Sequence, residues 1–305
     1  MAHGRLLSRA ELVEFSKVNV WIIIGMMIFD WTVIAIAITV SLLYPNWIVY
    51  LLAVMFIGGR MHGLGILAHE VAHYRFIKNK KLGDWIANLF LTWPIFYSVD
   101  SFRKTHLAHH KHLNSEGDPD FMHKQGKWLF PRSRFAMIRM IIGDLTGINI
   151  PQTLIQNKVF AERAKRAGAN SVAEAIGKII YYGGLITVLI YFGWWDEFLW
   201  YWMLPYVTWL HMIFKLRSVA EHYAIYDQEK PEERTRTVLL TYLERFFITP
   251  HHINMHVEHH TYPSVPFYKL LKLHKHLARD PEYRKQNHFT KSFVGVIKEC
   301  SEHKA

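Results

Sequence analysis

The chain has 305 residues, 51% of them hydrophobic and 20% charged, with a net charge of +11 and one cysteine. Soluble domains usually carry about 25% charge spread along the chain; here Asp30 is the sole charge from Val18 to Gly59, and none occurs in 85–99, 179–195 or 198–214. The pattern excludes disorder and argues for a membrane-embedded protein, and the lone Cys300 excludes a disulfide scaffold or a cysteine metal site.

The first 17 residues lead into an apolar span too long for a signal-peptide core and without a small-residue cleavage pattern, which reads as a retained anchor. A spanning helix needs roughly 20 apolar residues. Segments of about 19–43 and 47–67, separated by Tyr44-Pro45-Asn46, predict one transmembrane hairpin. Segments 176–192 and 198–214, separated by Gly193-Trp194-Trp195-Asp196-Glu197, predict a second. Neither turn holds Lys or Arg, whereas 75–81 and 103–139 are rich in both. The positive-inside rule then places the turns outside, and both termini and all basic segments in the cytoplasm. Segment 85–99 is short and contains Pro94, so it predicts a helix in the interface rather than a span. The tail 267–284 mixes Lys269, Lys272, Lys275 and Arg279 with Leu270, Leu271, Leu273 and Leu277, which suits a helix on the cytosolic domain or at the membrane. The expected fold is an all-α membrane protein. It is a single integral domain over 1–305, with four spans in two hairpins, an interfacial helix and a cytosolic histidine-rich helical cap from 68–175 and 215–305. The basic residues lie between apolar spans, which reads as attraction to anionic lipid and not as a nucleic-acid surface.

Nine of the 20 histidines fall into four clusters: His69-Glu-Val-Ala-His73, His106-Leu-Ala-His109-His110, Glu221-His222, and His256-Val-Glu-His259-His260. Residues at i, i+3 and i+4 share a helix face, so each multi-histidine cluster can aim at least two imidazoles at a common point. Imidazole suits iron, copper, zinc and nickel, and eight or nine such ligands exceed what one ion takes, so the set points to two ions. All four clusters reach the cytoplasmic side if 85–99 does not cross. His62, His112, His123, His211, His251, His252, His274 and His276 lack the spacing and read as surface or supporting groups. Asp30 in mid-span reads equally as a functional carboxylate or as a hydrogen-bonded structural one.

His69-Glu70-Val71-Ala72-His73 also fits the HExxH pattern of an intramembrane zinc metalloprotease, but that reading leaves the other boxes idle. A metal transporter would need polar ligands at midplane depth, and these clusters sit at or beyond the span ends. Glu70 reads as fixing an imidazole tautomer, with Asp118, Asp120, Glu221 and Glu258 as candidates for the same task.

The boxes, their order and the two hairpins resemble the membrane fatty-acid desaturase and hydroxylase superfamily over about residues 50–280. Asn254-Met-His-Val-Glu-His-His-Thr-Tyr-Pro-Ser-Val-Pro266 is especially similar to the last box of lipid desaturases. The resemblance implies a multi-pass membrane oxidoreductase with a non-haem di-iron centre that consumes O2 and two electrons. Its two Fe ions would be held by His69, His73, His106, His109, His110, His256, His259 and His260, with His222 as a ninth ligand. It implies a lipid or fatty-acyl substrate and an active site on the cytoplasmic face. Some acyl-chain desaturases carry an asparagine where this chain has Ser218, four residues before His222. The His-Pro-Gly-Gly signature of a fused cytochrome b5 is absent, so electrons are expected from a separate donor such as a ferredoxin or cytochrome b5. A carotenoid hydroxylase or ketolase is the alternative within the superfamily, and Asp118-Pro119-Asp120-Phe121 after the second box is compatible with it.

Overall fold

A computed structural model describes residues 6–115, 117–119, 130–152, 171–225 and 234–301, with scattered positions between 153 and 170. Asp120, Phe121 and His123 lie outside the described residues. The chain forms two compact units, Val20–Thr105 with Gly143–Ile213, and Met1–Asn19 with His106–Ile142 and Phe214–Ala305.

The first unit contains the long apolar helices. Helix α2 (Val20–Leu43) follows the short α1 (Arg9–Phe15) of the other unit. It packs on α3 (Trp47–Ala72), which Asn46 caps by accepting from the Val49 N–H. The α3 half from Ile57 to Ala72 is buried on every face. Helix α7 (Val172–Phe192) is capped by Ser171 and ends on Gly193 in the left-handed conformation at φ 68°. Ile176, Ile179, Ile180, Val188 and Ile190 of α7 and Ile28, Phe29, Ile36 and Leu42 of α2 are exposed. Helices that turn apolar side chains outward are built for lipid. Three helical stretches are long and apolar enough to cross a membrane, one of them containing α2 and the others being α3 and α7.

The expected fourth segment is also helical but is not a uniform α-helix. Residues 195–222 run from α8 (Trp195–Phe198) through π-helical Leu199–Met203 and Tyr206–Leu210 into α9 (His211–His222). Segment 85–99 is likewise broken. Helix α4 (Lys80–Ala87) passes into π-helical Asn88–Thr92 and a 3₁₀ turn at Trp93–Ile95, then Phe96 turns left-handed at φ 65°. Pro94 has no N–H, so the Phe90 carbonyl loses its helical donor. Trp31 Nε1 donates to that carbonyl at 2.9 Å, Tyr182 Oη to the Trp93 carbonyl at 2.9 Å, and Trp202 Nε1 to the Pro94 carbonyl at 2.8 Å. Irregular backbone among apolar helices persists where neighbours supply such donors.

The second unit carries most of the histidines. Helix α5 (Val99–His112) enters it at His106, and α6 is Arg134–Leu145. The all-α expectation needs a correction, because Arg236–Leu239 (β1) and His288–Lys291 (β2) pair in parallel with Arg236 opposite His288. A parallel pair requires a crossover, and here residues 240–287 supply it: α10 (Tyr242–Phe247), α11 (His256–Thr261), α12 (Phe267–Leu277) and α13 (Pro281–Gln286). Helix α14 (Ser292–Glu299) follows β2. The third histidine box therefore lies inside the crossover. Its core joins Leu7, Met255, Val257, Val265, Leu270, Leu273, Leu277 and Tyr283, so the leucines of the tail point inward. Helix α1, started by a reciprocal Ser8–Glu11 capping box, lies on α12: Lys269 Nζ donates to the Glu14 carbonyl at 2.8 Å, and the Asn19 N–H donates to Tyr268 Oη at 2.6 Å.

Candidate metal centre

Within the histidine-rich unit, His109 of α5, His222 at the end of α9, and His256 and His260 of α11 bring one ring nitrogen each to within 4.8 Å of one another. The Nε2 atoms of His222 and His256 are 2.9 Å apart. His109 Nδ1 donates to Asp118 Oδ1 at 2.9 Å, and Asp118 Oδ2 accepts from the Asn114 N–H at 2.9 Å. A carboxylate can only accept, so the His109 proton sits on Nδ1 and the Nε2 lone pair faces the group. Asp118 thus fixes the tautomer of His109. Glu221, held by Arg217 Nε at 2.5 Å, lies 3.6 Å from His256 Nδ1. Burial, reinforced by the neighbouring His260 and His222, holds His256 well below the ordinary histidine range, which favours the neutral form that ligates.

A second convergence in the same unit joins the remaining histidines of the second and third boxes. His110 Nε2 is 3.0 Å from His106 Nε2 and 2.9 Å from His259 Nε2. A ring nitrogen carries one hydrogen or one lone pair, so His110 Nε2 can direct only one of these contacts as a hydrogen bond, whereas a cation among the three nitrogens would meet all their lone pairs. Metal–nitrogen bonds of about 2.1 Å put ligand atoms about 3.0 Å apart at right angles and about 3.4 Å apart in a tetrahedron. The observed separations are short enough for the nitrogens to share one ion.

In the apolar unit, His69 and His73 close α3, with ring centroids 4.7 Å apart and the His73 N–H donating to the His69 carbonyl. Glu70 is fully buried; its Oε1 lies 3.0 Å from Arg75 Nη2 and 3.4 Å from His69 Nδ1. A carboxylate ion-paired in this way is poorly suited to activate water, which weakens the metalloprotease reading.

Glu258 differs from expectation. Although it sits between His256 and His259, its carboxylate accepts from Thr237 Oγ1 at 2.6 Å, His274 Nδ1 at 2.6 Å and Tyr283 Oη at 2.8 Å, none of them an expected ligand. His62 and His211 are buried, and His251 and His252 occupy consecutive left-handed positions before the third box. Among the described residues, no histidine outside the four sequence clusters joins either metal-competent group. Arg75, Arg217, Thr237 and Tyr283 were not singled out from sequence. Only the Arg217–Glu221 spacing of i, i+4 carries a local signal.

The fatty acid desaturase family profile matches residues 45–292. The chain is 27% identical to the dihydrorhizobitoxine desaturase of Bradyrhizobium elkanii, over 84% of this chain and 75% of that one. It is 23% identical to the sn-1 oleoyl-lipid 12-desaturase of Arthrospira platensis, over 73% and 67%. It is 28% identical to the chloroplastic omega-6 fatty acid desaturase of Glycine max, over 77% and 57%.

Proposed function

This chain belongs to the fatty acid desaturase family, and from that premise we propose that it is a multi-pass membrane oxidoreductase that desaturates the acyl chain of a membrane lipid or fatty-acyl substrate. It uses O2 and electrons from a separate carrier. The observation that carries the reading is the pair of converging imidazole groups, each with Nε2 atoms about 3 Å apart. In this reading one iron is held by His109, His222, His256 and His260. The other is held by His106, His110 and His259, with His69 and His73 added on the strength of their box spacing. Two iron ions bound there supply what side chains lack, the ability to remove hydrogen from an unactivated methylene. The protein's own residues do the rest. Asp118 fixes the proton of His109 on Nδ1, and Arg217 holds Glu221 beside His256. The apolar helices offer an acyl chain the low-polarity surroundings it leaves the bilayer for. Where two adjacent methylenes are held relative to the site decides between loss of both hydrogens and insertion of oxygen.

Incubation under 18O2 with a reductant and an electron carrier tests the reaction type. The expected product is two hydrogens lighter than its substrate and free of label. Label retained in the major lipid or carotenoid product would make this chain a hydroxylase or ketolase.

The topology belongs to the same proposal: four spans, with both termini and all boxes in the cytoplasm. Trp47, Trp194 and Trp195, at the proposed outer turns, are exposed, as an interfacial aromatic belt requires. Cysteines introduced at Asn79 and Ser115 are expected to react with an impermeant reagent from the same side. Cys300 adds little background, because burial pushes its thiol up to about 11. Reaction from opposite sides would make 85–99 a true span and separate the boxes.

A further inference from the structure

The carboxylate of Glu258 is wholly buried at the centre of the third histidine box, and its three donors come from three different elements. Thr237 is on β1, His274 on α12 and Tyr283 on α13. Thr237 Oγ1 also accepts from the Val257 N–H at 3.1 Å, so the first turn of α11 is tied to β1 through both backbone and side chain. One step earlier, the Val238 N–H donates to the Asn254 carbonyl and Asn254 Nδ2 returns a bond to the Val238 carbonyl at 2.7 Å. Helix α11 has only six residues and no side-chain cap, so little of its own structure fixes its rotation. Yet it contributes His256 and His260 to one imidazole group and His259 to the other.

We propose that Glu258, gripped by Thr237, His274 and Tyr283, is a positioning residue that sets the rotation of α11 and thereby aligns ligands of both metal ions at once. This rests on the metal reading of the two groups. It assigns to Tyr283 and His274, which touch no ligand histidine in any contact described above, a role in metal retention. Buried charge-assisted hydrogen bonds of this kind are short and directional, and the lengths of 2.6–2.8 Å fit that description. Burial and the nearby Glu258 also hold the Tyr283 hydroxyl well above its ordinary range, which keeps it a donor.

The test uses full-length, iron-loaded protein in detergent and follows release of iron to a chelator, together with the unfolding midpoint of the metal-free protein. Tyr283→Phe removes one hydroxyl and leaves the buried ring in place. It is expected to release both irons about tenfold faster, the lower end of what losing a supporting partner costs a metal site, with the metal-free midpoint lowered only by the loss of one buried hydrogen bond. His274→Ala should behave likewise, whereas His274→Asn should restore slow release, because its Nδ2 places a donor near that of the imidazole Nδ1. His276→Ala, on the same helix but paired with the partly exposed Glu11, should release iron as the wild type does. Wild-type release from both Tyr283→Phe and His274→Ala would overturn the inference. So would a fall in the metal-free midpoint with release unchanged, since the contacts would then serve folding alone. A wild-type protein that takes up no iron would instead overturn the proposed function.

Discussion

Alanine at His259 or His110 is expected to strip iron from the protein and reduce turnover to background. His110 Nε2 stands within 3.0 Å of both His106 and His259, so removing either ring leaves the remaining nitrogens without the geometry that encloses an ion. Loss of a ligand should cost more than loss of its support. Asp118→Asn keeps the shape of the carboxylate but no longer enforces an Nδ1–H on His109, and it should weaken metal binding by the roughly 10–100-fold typical of such partners. Elemental analysis with a product assay ranks the variants. Undiminished iron in His259→Ala, or a single zinc per wild-type chain, would return the HExxH reading to contention.

The second large effect lies in the apolar unit. Asp30 Oδ1 and Arg60 Nη1 form an ion pair at 3.1 Å, with both side chains almost fully buried. Gly63 makes room for it, since a Cβ there would stand 2.5 Å from Asp30 Oδ2. Removing one member of such a pair leaves an uncompensated buried charge and costs about 3–5 kcal/mol, whereas apolar replacement of both is often neutral. Asp30→Ala should therefore lower thermal stability sharply, and Asp30→Leu with Arg60→Met should restore most of it. Thermal unfolding in detergent measures both. A double variant that is stable and active settles the open sequence reading of Asp30 in favour of structure. One that is stable but inactive assigns the pair a part in function.

The metal-competent groups were legible because helical spacing is local: His106, His109 and His110 share a helix face whatever surrounds them. Partners that converge from distant segments leave no such trace. Nothing in the order Thr237, Glu258, His274, Tyr283 announces that four residues meet, and the expectation that Glu258 would support a ligand imidazole came from adjacency alone. The two strands escaped notice because four-residue runs such as Arg236-Thr-Val-Leu239 carry too short a period to register against helical surroundings. Hydropathy identified the apolar segments, yet it could not show that 195–222 passes through two π-helical stretches or that carbonyls around Pro94 accept from Trp31, Tyr182 and Trp202. Those features depend on which side chains stand nearby once the chain is folded.

The threading of the histidine-rich unit carries a consequence for biosynthesis. It is assembled from three separate stretches of chain. Leu7 at the beginning hydrogen-bonds through its N–H to Tyr262 Oη, and β1 waits for β2 to follow the whole crossover. Chains emerge from the ribosome N-terminal end first, and contacts of long sequence separation close late. The apolar helices are thus available to the bilayer well before α11 has a sheet to rest on. The residues that could hold metal come together only after α11 has been made, so any metal would enter after the apolar helices have formed.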